Sequence, residues 1–139
     1  MLKMSAPKTI MINNEKYVRE SDVKQTEKII KIGADESIAV AMVGKFCLVR
    51  SRNEGINAGT VIAADDTGVI LENARRLWYH RPADNNLSWY EGVAISGLSE
   101  CSKVSGTVSK KVIVEDYSLT ECSKNAEKSI RGKTPNAQN

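Results

Sequence analysis

Apolar and polar residues alternate most regularly in the middle of the chain. Over Phe46–Arg52, Phe46, Leu48, Arg50 and Arg52 fall on one side and Cys47, Val49 and Ser51 on the other. Period-two alternation is the signature of a strand. The short apolar run Ile38–Val43 precedes it, ended by a turn at Gly44-Lys45. Asn53-Glu54-Gly55 turns the chain into a second strand, Ala58–Ala64. Asp65-Asp66-Thr67-Gly68 is a strong turn signal. Val69–Leu71 then runs through Glu72-Asn73-Ala74 into Arg75–His80 as a third strand. The pattern predicts a three-stranded antiparallel meander. A further strand is predicted over Thr107–Asp116, carried by Val112, Ile113 and Val114.

The flanks are less regular. Thr9–Asn13 and Lys16–Arg19 read as two extended pieces around the turn pair Asn13-Asn14. Ser21-Asp22-Val23 can start a helical turn, and residues 24–36 form a charged connector, partly strand at Ile29–Ile32. Residues 81–86 form a loop, and Trp89–Leu98 is a short helix or an irregular segment. Ser118-Leu119-Thr120-Glu121 fits the S-x-x-E box that caps a helix N-terminus. Leu119, Cys122, Ala126 and Ile130 recur at helical spacing, and Gly132 ends the run. A helix is therefore expected over 119–131, with a thin apolar stripe that a second copy of the chain would partly cover. The expected fold is mainly β (α+β): a small antiparallel meander or barrel-like sheet with a C-terminal helix. Residues 9–132 form its single domain, between a frayed N-terminus (1–8) and a disordered tail (133–139).

A length of 139 residues suits one domain. Aromatics make up only 5%, so the core must come from Val, Ile, Leu and Ala. There is no apolar run of about 18 residues that could span a membrane, and the first residues carry no secretory h-region. Three widely spaced cysteines, Cys47, Cys101 and Cys122, read as reduced thiols of a cytosolic protein. The net charge of +3 is mild, but Arg75, Arg76 and Arg81 lie close together, and Arg50 and Arg52 form a second pair.

The chemistry-bearing motifs are few. Neither GxxxxGK[ST] nor GxGxxG occurs, and neither HExxH nor GxSxG. A single histidine, His80, argues against a His-based zinc cage or catalytic dyad. Asp65-Asp66 reads as a solvated turn and Cys47 as core. The expectation is a protein that is not an enzyme, with no cofactor and no metal.

Asn73–His80 is the densest polar–aromatic stretch. In an extended chain Arg76, Trp78 and His80 share one face and Arg75, Leu77 and Tyr79 the other. Arginine forks pair with phosphate oxygens, and aromatic faces stack on bases. The alternative is that Trp78 and Leu77 are core and the arginines face water. Arg50 and Arg52 continue a strand face that runs from apolar to cationic, where an anion pocket would open at the rim. Trp89-Tyr90 is either a lid or subunit contact, or satellite core. Lys124, Lys128 and Arg131 form a helix face that is solvated or, in an oligomer, lines an anionic site.

Several blocks together resemble a family of small bacteriophage proteins with a domain of unknown function. They are Ile12–Arg19, Leu48-Val49-Arg50-Ser51 with Gly55–Gly59, Asn73-Ala74-Arg75-Arg76-Leu77-Trp78-Tyr79, and Val112–Ser118 with Thr120-Glu121 and Ala126–Ile130. The chain departs from the family pattern at His80, where a second Trp is expected, and around Cys101. The resemblance implies a phage protein in the cytoplasm of the infected bacterium. By analogy with phage immune-signal sponges of the anti-CBASS and anti-Thoeris kinds, it would bind a small nucleotide second messenger as a homo-oligomer, without catalysis. The ligand-binding residues expected are Arg50, Arg52, Arg75, Arg76, Trp78, Tyr79, His80 and Trp89. The alternative is an accessory protein that contacts a host protein or single-stranded nucleic acid through the same surface; no membrane partner is expected.

Overall fold

The turn signals close real hairpins in the computed structural model, which describes residues 9–12, 15–18 and 32–136. Two units are present. In the first, β1 (Thr9–Ile12) pairs antiparallel with β2 (Glu15–Val18), Ile12 opposite Glu15. The expected helical turn at 21–23 and the strand at Ile29–Ile32 fall outside the described residues, apart from Ile32 itself, which is not in a strand.

The second unit starts at Ile32. The apolar run before the meander forms a short 3-10 helix, Ile38–Met42, capped by the Ser37 hydroxyl accepting from Ala39 N. Next come β3 (Phe46–Ser51), β4 (Gly55–Asp65), β5 (Gly68–Tyr79), α1 (Glu91–Ser96), β6 (Lys103–Val104), β7 (Val108–Ile113), β8 (Tyr117–Glu121) and α2 (Lys124–Gly132). The six strands form an antiparallel sheet in the order β6-β5-β4-β3-β8, with β7 also on β5. The mainly β fold with a C-terminal helix is therefore as the sequence pattern predicts.

The connection from β7 to β8 forces this sheet to coil. Ile113 is level with Val69 and Ala64, at one end of β4. Tyr117 is level with Ser51 and Gly55, at the other. In a flat sheet these residues would be diagonal corners roughly 35 Å apart. Four residue steps reach only about 14 Å. The corners must curl towards each other, and two irregularities in the β4–β5 ladder, an extra residue on β5 between Glu72 and Arg75 and one on β4 between Val61 and Ala63, let the strands bend. Tyr117 Oη donates to the Asp65 carbonyl at 2.6 Å, and the Glu115 carboxylate accepts from Asn53 N and Nδ2.

Coiling gives the sheet two packed faces. Inside the curl lie Cys47, Val49, Val61, Val69, Leu71, Ala74 and Ile113, covered at one end by Ala39 and Met42 of the 3-10 helix. On the outer face Phe46, Leu48, Ile56, Ala58 and Leu77 pack under Val93 and Ala94 of α1 and Ala126 and Ile130 of α2. Both faces of β3 are thus buried up to Val49, and the strand emerges into water at Arg50.

The C-terminal helix begins later than predicted. Tyr117–Glu121 pairs with β3, Leu119 opposite Val49 and Ser118 opposite Arg50. The S-x-x-E box is therefore spent in a strand. The cap is Ser123, whose hydroxyl accepts from Ala126 N at 3.0 Å. Ala126 and Ile130 are fully buried within the chain, so the helix stripe needs no second copy to cover it. The expected tail also starts bound: Asn136 N donates to Val104 O and Asn136 Oδ1 accepts from Val104 N. No helix among the described residues is long and apolar enough to cross a membrane.

Candidate functional site

The alternation along the end of β5 separates its two arginines. Arg75 turns to the helix side and is 5% exposed. Its Nε donates to Ser105 O at 2.9 Å, and its Nη1 lies within hydrogen-bond range of Ile130 O, Arg131 O and Lys133 O at 2.8, 3.4 and 2.7 Å. The latter three lie in the last turn of α2 or just past it, where a helix runs short of internal donors; Ile130 O also accepts from Lys133 N at 3.4 Å. They carry the negative end of the helix dipole. Burial pushes the Arg75 pKa down. Arg75, expected to bind ligand, is instead committed to fastening α2 to the sheet.

Arg76 points the other way, into a cavity of about 320 Å³ lined by Gly55, Ile56, Arg76, Leu77, Trp78 and His80. Three of the expected residues, Arg76, Trp78 and His80, therefore meet in one place. Gly55 makes room for them. It adopts φ +68°, and a Cβ built on it would lie 3.1 Å from Arg76 Nη2. The Asn57–Arg76 register pair sets the height of Arg76 above the β3–β4 turn.

Arg50 reaches the same region. It sits opposite Ile56 across β3–β4, and its guanidinium lies 5.6 Å from the centre of the Tyr90 ring. The His80 pKa is pushed down, first by burial and then by the Arg50 charge. Both effects favour the neutral imidazole. Lys103 of β6 covers the Trp78 ring at 5.3 Å. Arg52 is exposed in the β3–β4 turn, outside the cavity lining.

Tyr79 and Trp89 form a separate cluster. Their rings meet edge-on, 6.3 Å between centres, and Arg81 stacks on Trp89 at 4.9 Å. Arg81 and Trp89 line a smaller hollow of about 170 Å³ with Pro82, Asn85, Ser99 and Cys101. Trp89 is 51% exposed, so it is not satellite core.

The charge pattern ties the two clusters together. Among the described residues the ion pairs are Lys45–Glu121, Lys111–Glu54, Lys124–Glu127 and Arg131–Glu127. None uses Arg50, Arg52, Arg76, Arg81 or Lys103. No carboxylate lines the 320 Å³ cavity. Cations that make no ion pair among the described residues, set beside Trp78 and Tyr90, suit a ligand that brings both negative charge and a flat ring.

Gly55, Tyr90, Arg81 and Lys103 are additions to the expected residues. Arg81 carried a signal, since it lies two positions beyond Tyr79. Lys103 carried none, because β6 reaches Trp78 only through the fold.

A protein-family model described as a domain of unknown function, DUF6948, matches residues 44–130. The chain belongs to the DUF6948 family. The DUF6948 match begins at the Gly44 turn and ends on α2, so it contains the whole candidate site. The segment Ile12–Arg19, part of the expected resemblance, lies outside it. No curated protein and no solved structure matches the chain.

Proposed function

We propose that this DUF6948 protein binds and sequesters a small nucleotide signal without catalysis, as a phage product countering a bacterial immune signal inside the host cell. One observation carries the reading. Arg76, Trp78 and His80 share a cavity with no carboxylate on its walls, and Arg50 adds its charge from the neighbouring strand. Guanidinium forks grip phosphate oxygens, and His80 in its favoured neutral form can exchange hydrogen bonds with a base or sugar. A volume of about 320 Å³ is at the lower end for small-molecule sites. It accommodates one nucleotide unit. A cyclic oligonucleotide would extend past the cavity mouth towards Arg50.

The test is a thermal-shift panel of cyclic di- and trinucleotides and cyclic ADP-ribose isomers. A ligand that binds only the folded state raises the melting temperature. One class should give a shift of several degrees, and Arg76→Ala should remove it. No shift with any member, and no nucleotide co-purifying, would refute the proposal.

A second reading rests on Trp89 and Tyr79, which stand exposed outside the cavity beside Arg81. Exposed aromatics among cations also suit single-stranded nucleic acid. Oligonucleotide binding that weakens steeply with salt would favour this reading over the first.

A further inference from the structure

The helices cover only part of the outer face of the sheet. Beyond Thr60, which accepts a hydrogen bond from Arg131 of α2, the same face continues bare. Its next cross-strand row is Ala63–Ile70–Val112, and Val114 follows on the chain. These residues line a shallow hollow of about 250 Å³. Val112 is 57% exposed and Val114 74%, with Ile62 at the neighbouring bulge. Together the side chains leave on the order of 350 Å² of contiguous apolar surface in water, the scale at which patches on single chains are usually functional.

We propose that this bare half of the outer face is a homodimer interface, in which two copies bury the Ile70–Val112–Val114 row against each other about a two-fold axis. One feature favours a second copy over a foreign partner, and a second sets how tightly it is held. A patch that meets itself must not repel itself, and this one is balanced: Glu72 and Lys110 face each other across β5–β7 in the adjoining row. The carboxylate at its far side, Asp65, is held within its own turn by Thr67 and Gly68. Arg76, which makes no ion pair among the described residues, lies away from the patch, in the 320 Å³ cavity at the opposite end of β5. The second feature is area. A standard interface buries roughly 800 Å² per partner. The apolar row, on the order of 350 Å², is under half of that value before the Glu72–Lys110 rim is added. The dimer is therefore expected to be reversible and concentration-dependent. It stands independently of the nucleotide reading.

Sedimentation equilibrium on the full chain tests the proposal. The apparent mass should rise from 15.3 kDa towards twice that value as concentration increases through the micromolar range. Val112→Glu should hold the protein at monomer mass at every concentration. Val114→Glu should do the same without touching a paired strand residue. Ile95→Glu, at an exposed apolar position on α1, should dimerise like the parent. Circular dichroism on each variant checks that the fold is kept. A parent chain that stays monomeric throughout would overturn the proposal, as would dimerisation of folded Val112→Glu and Val114→Glu at the parent's concentration dependence.

Discussion

Replacing Arg75 by alanine should cost folding stability rather than ligand affinity alone. The side chain is 5% exposed and reaches four backbone carbonyls, three of them at or just beyond the end of α2. A hydrogen bond from a charged donor contributes about 1.5–3 kcal/mol net, but bonds sharing one guanidinium do not add independently. The alanine variant also takes the side-chain donor from part-buried carbonyls and removes the cation facing the helix dipole. A combined loss of about 3–5 kcal/mol follows, within the range for breaking a buried charged network. Each 1 kcal/mol moves Tm by about 4 °C for a unit of this size. Arg75→Ala should therefore melt some 12–20 °C below the parent. Arg75→Lys, which keeps the charge but not the fork, should recover part of that difference. Urea unfolding followed by circular dichroism gives the free energies directly. If Arg75→Ala matched the parent in stability while abolishing nucleotide binding, the guanidinium would belong to the ligand and the structural assignment would be wrong.

The Glu115 carboxylate, beside the Ser51 hydroxyl and bonded by the Asn53 amide and side chain and the Glu54 amide, is held down to a pKa of about 2. A pKa lowered on folding contributes stability that is present above the ordinary value of 4.5 and lost as pH falls from there towards 2. The parent should lose Tm across that window, and Glu115→Gln should start lower and lose less. Gly55→Ala places a methyl group 3.1 Å from Arg76 Nη2 at a positive φ; it should weaken nucleotide binding in calorimetry and lower Tm by a few degrees. Among the thiols, burial pushes Cys47 and Cys122 up to about 12, whereas Cys101 is exposed and shifted down by Ser99. A colorimetric thiol titration should find one fast-reacting group in the native protein and three after denaturation, and more than one fast group would contradict the buried positions. Trp89→Ala should leave small-nucleotide binding unchanged, because Trp89 lies outside the 320 Å³ cavity, and reduce any oligonucleotide binding.

Local signals and non-local ones divide the molecule unevenly. The meander was legible because its information is short-range: Asn53–Gly55 and Asp65–Gly68 each join strands that pair with their immediate neighbours. The late helix start was not legible, because Ser118–Glu121 satisfies a cap pattern and a strand equally well. What decides between them is β3, some 70 residues earlier, whose edge takes Tyr117–Glu121 as a partner. With that stretch paired, the cap falls to Ser123, just ahead of Ala126 and Ile130.

The site was half legible for a related reason. Strand alternation placed Arg76, Trp78 and His80 on one face and Arg75, Leu77 and Tyr79 on the other, and the structure keeps that division. All three residues of the first face line the cavity, and from the second only Leu77 reaches its wall. The second supplies Arg75 to the helix end, Leu77 to the core and Tyr79 to Trp89. Periodicity can sort residues into two faces, but it carries no information on which face a distant helix will cover. Here α2, closing on the sheet from the far end of the chain, takes the Arg75 side. That leaves Arg76 as the arginine of β5 available to a ligand. A conservative exchange should therefore separate the adjacent pair: Arg76→Lys should change affinity at constant Tm, and Arg75→Lys should lower Tm.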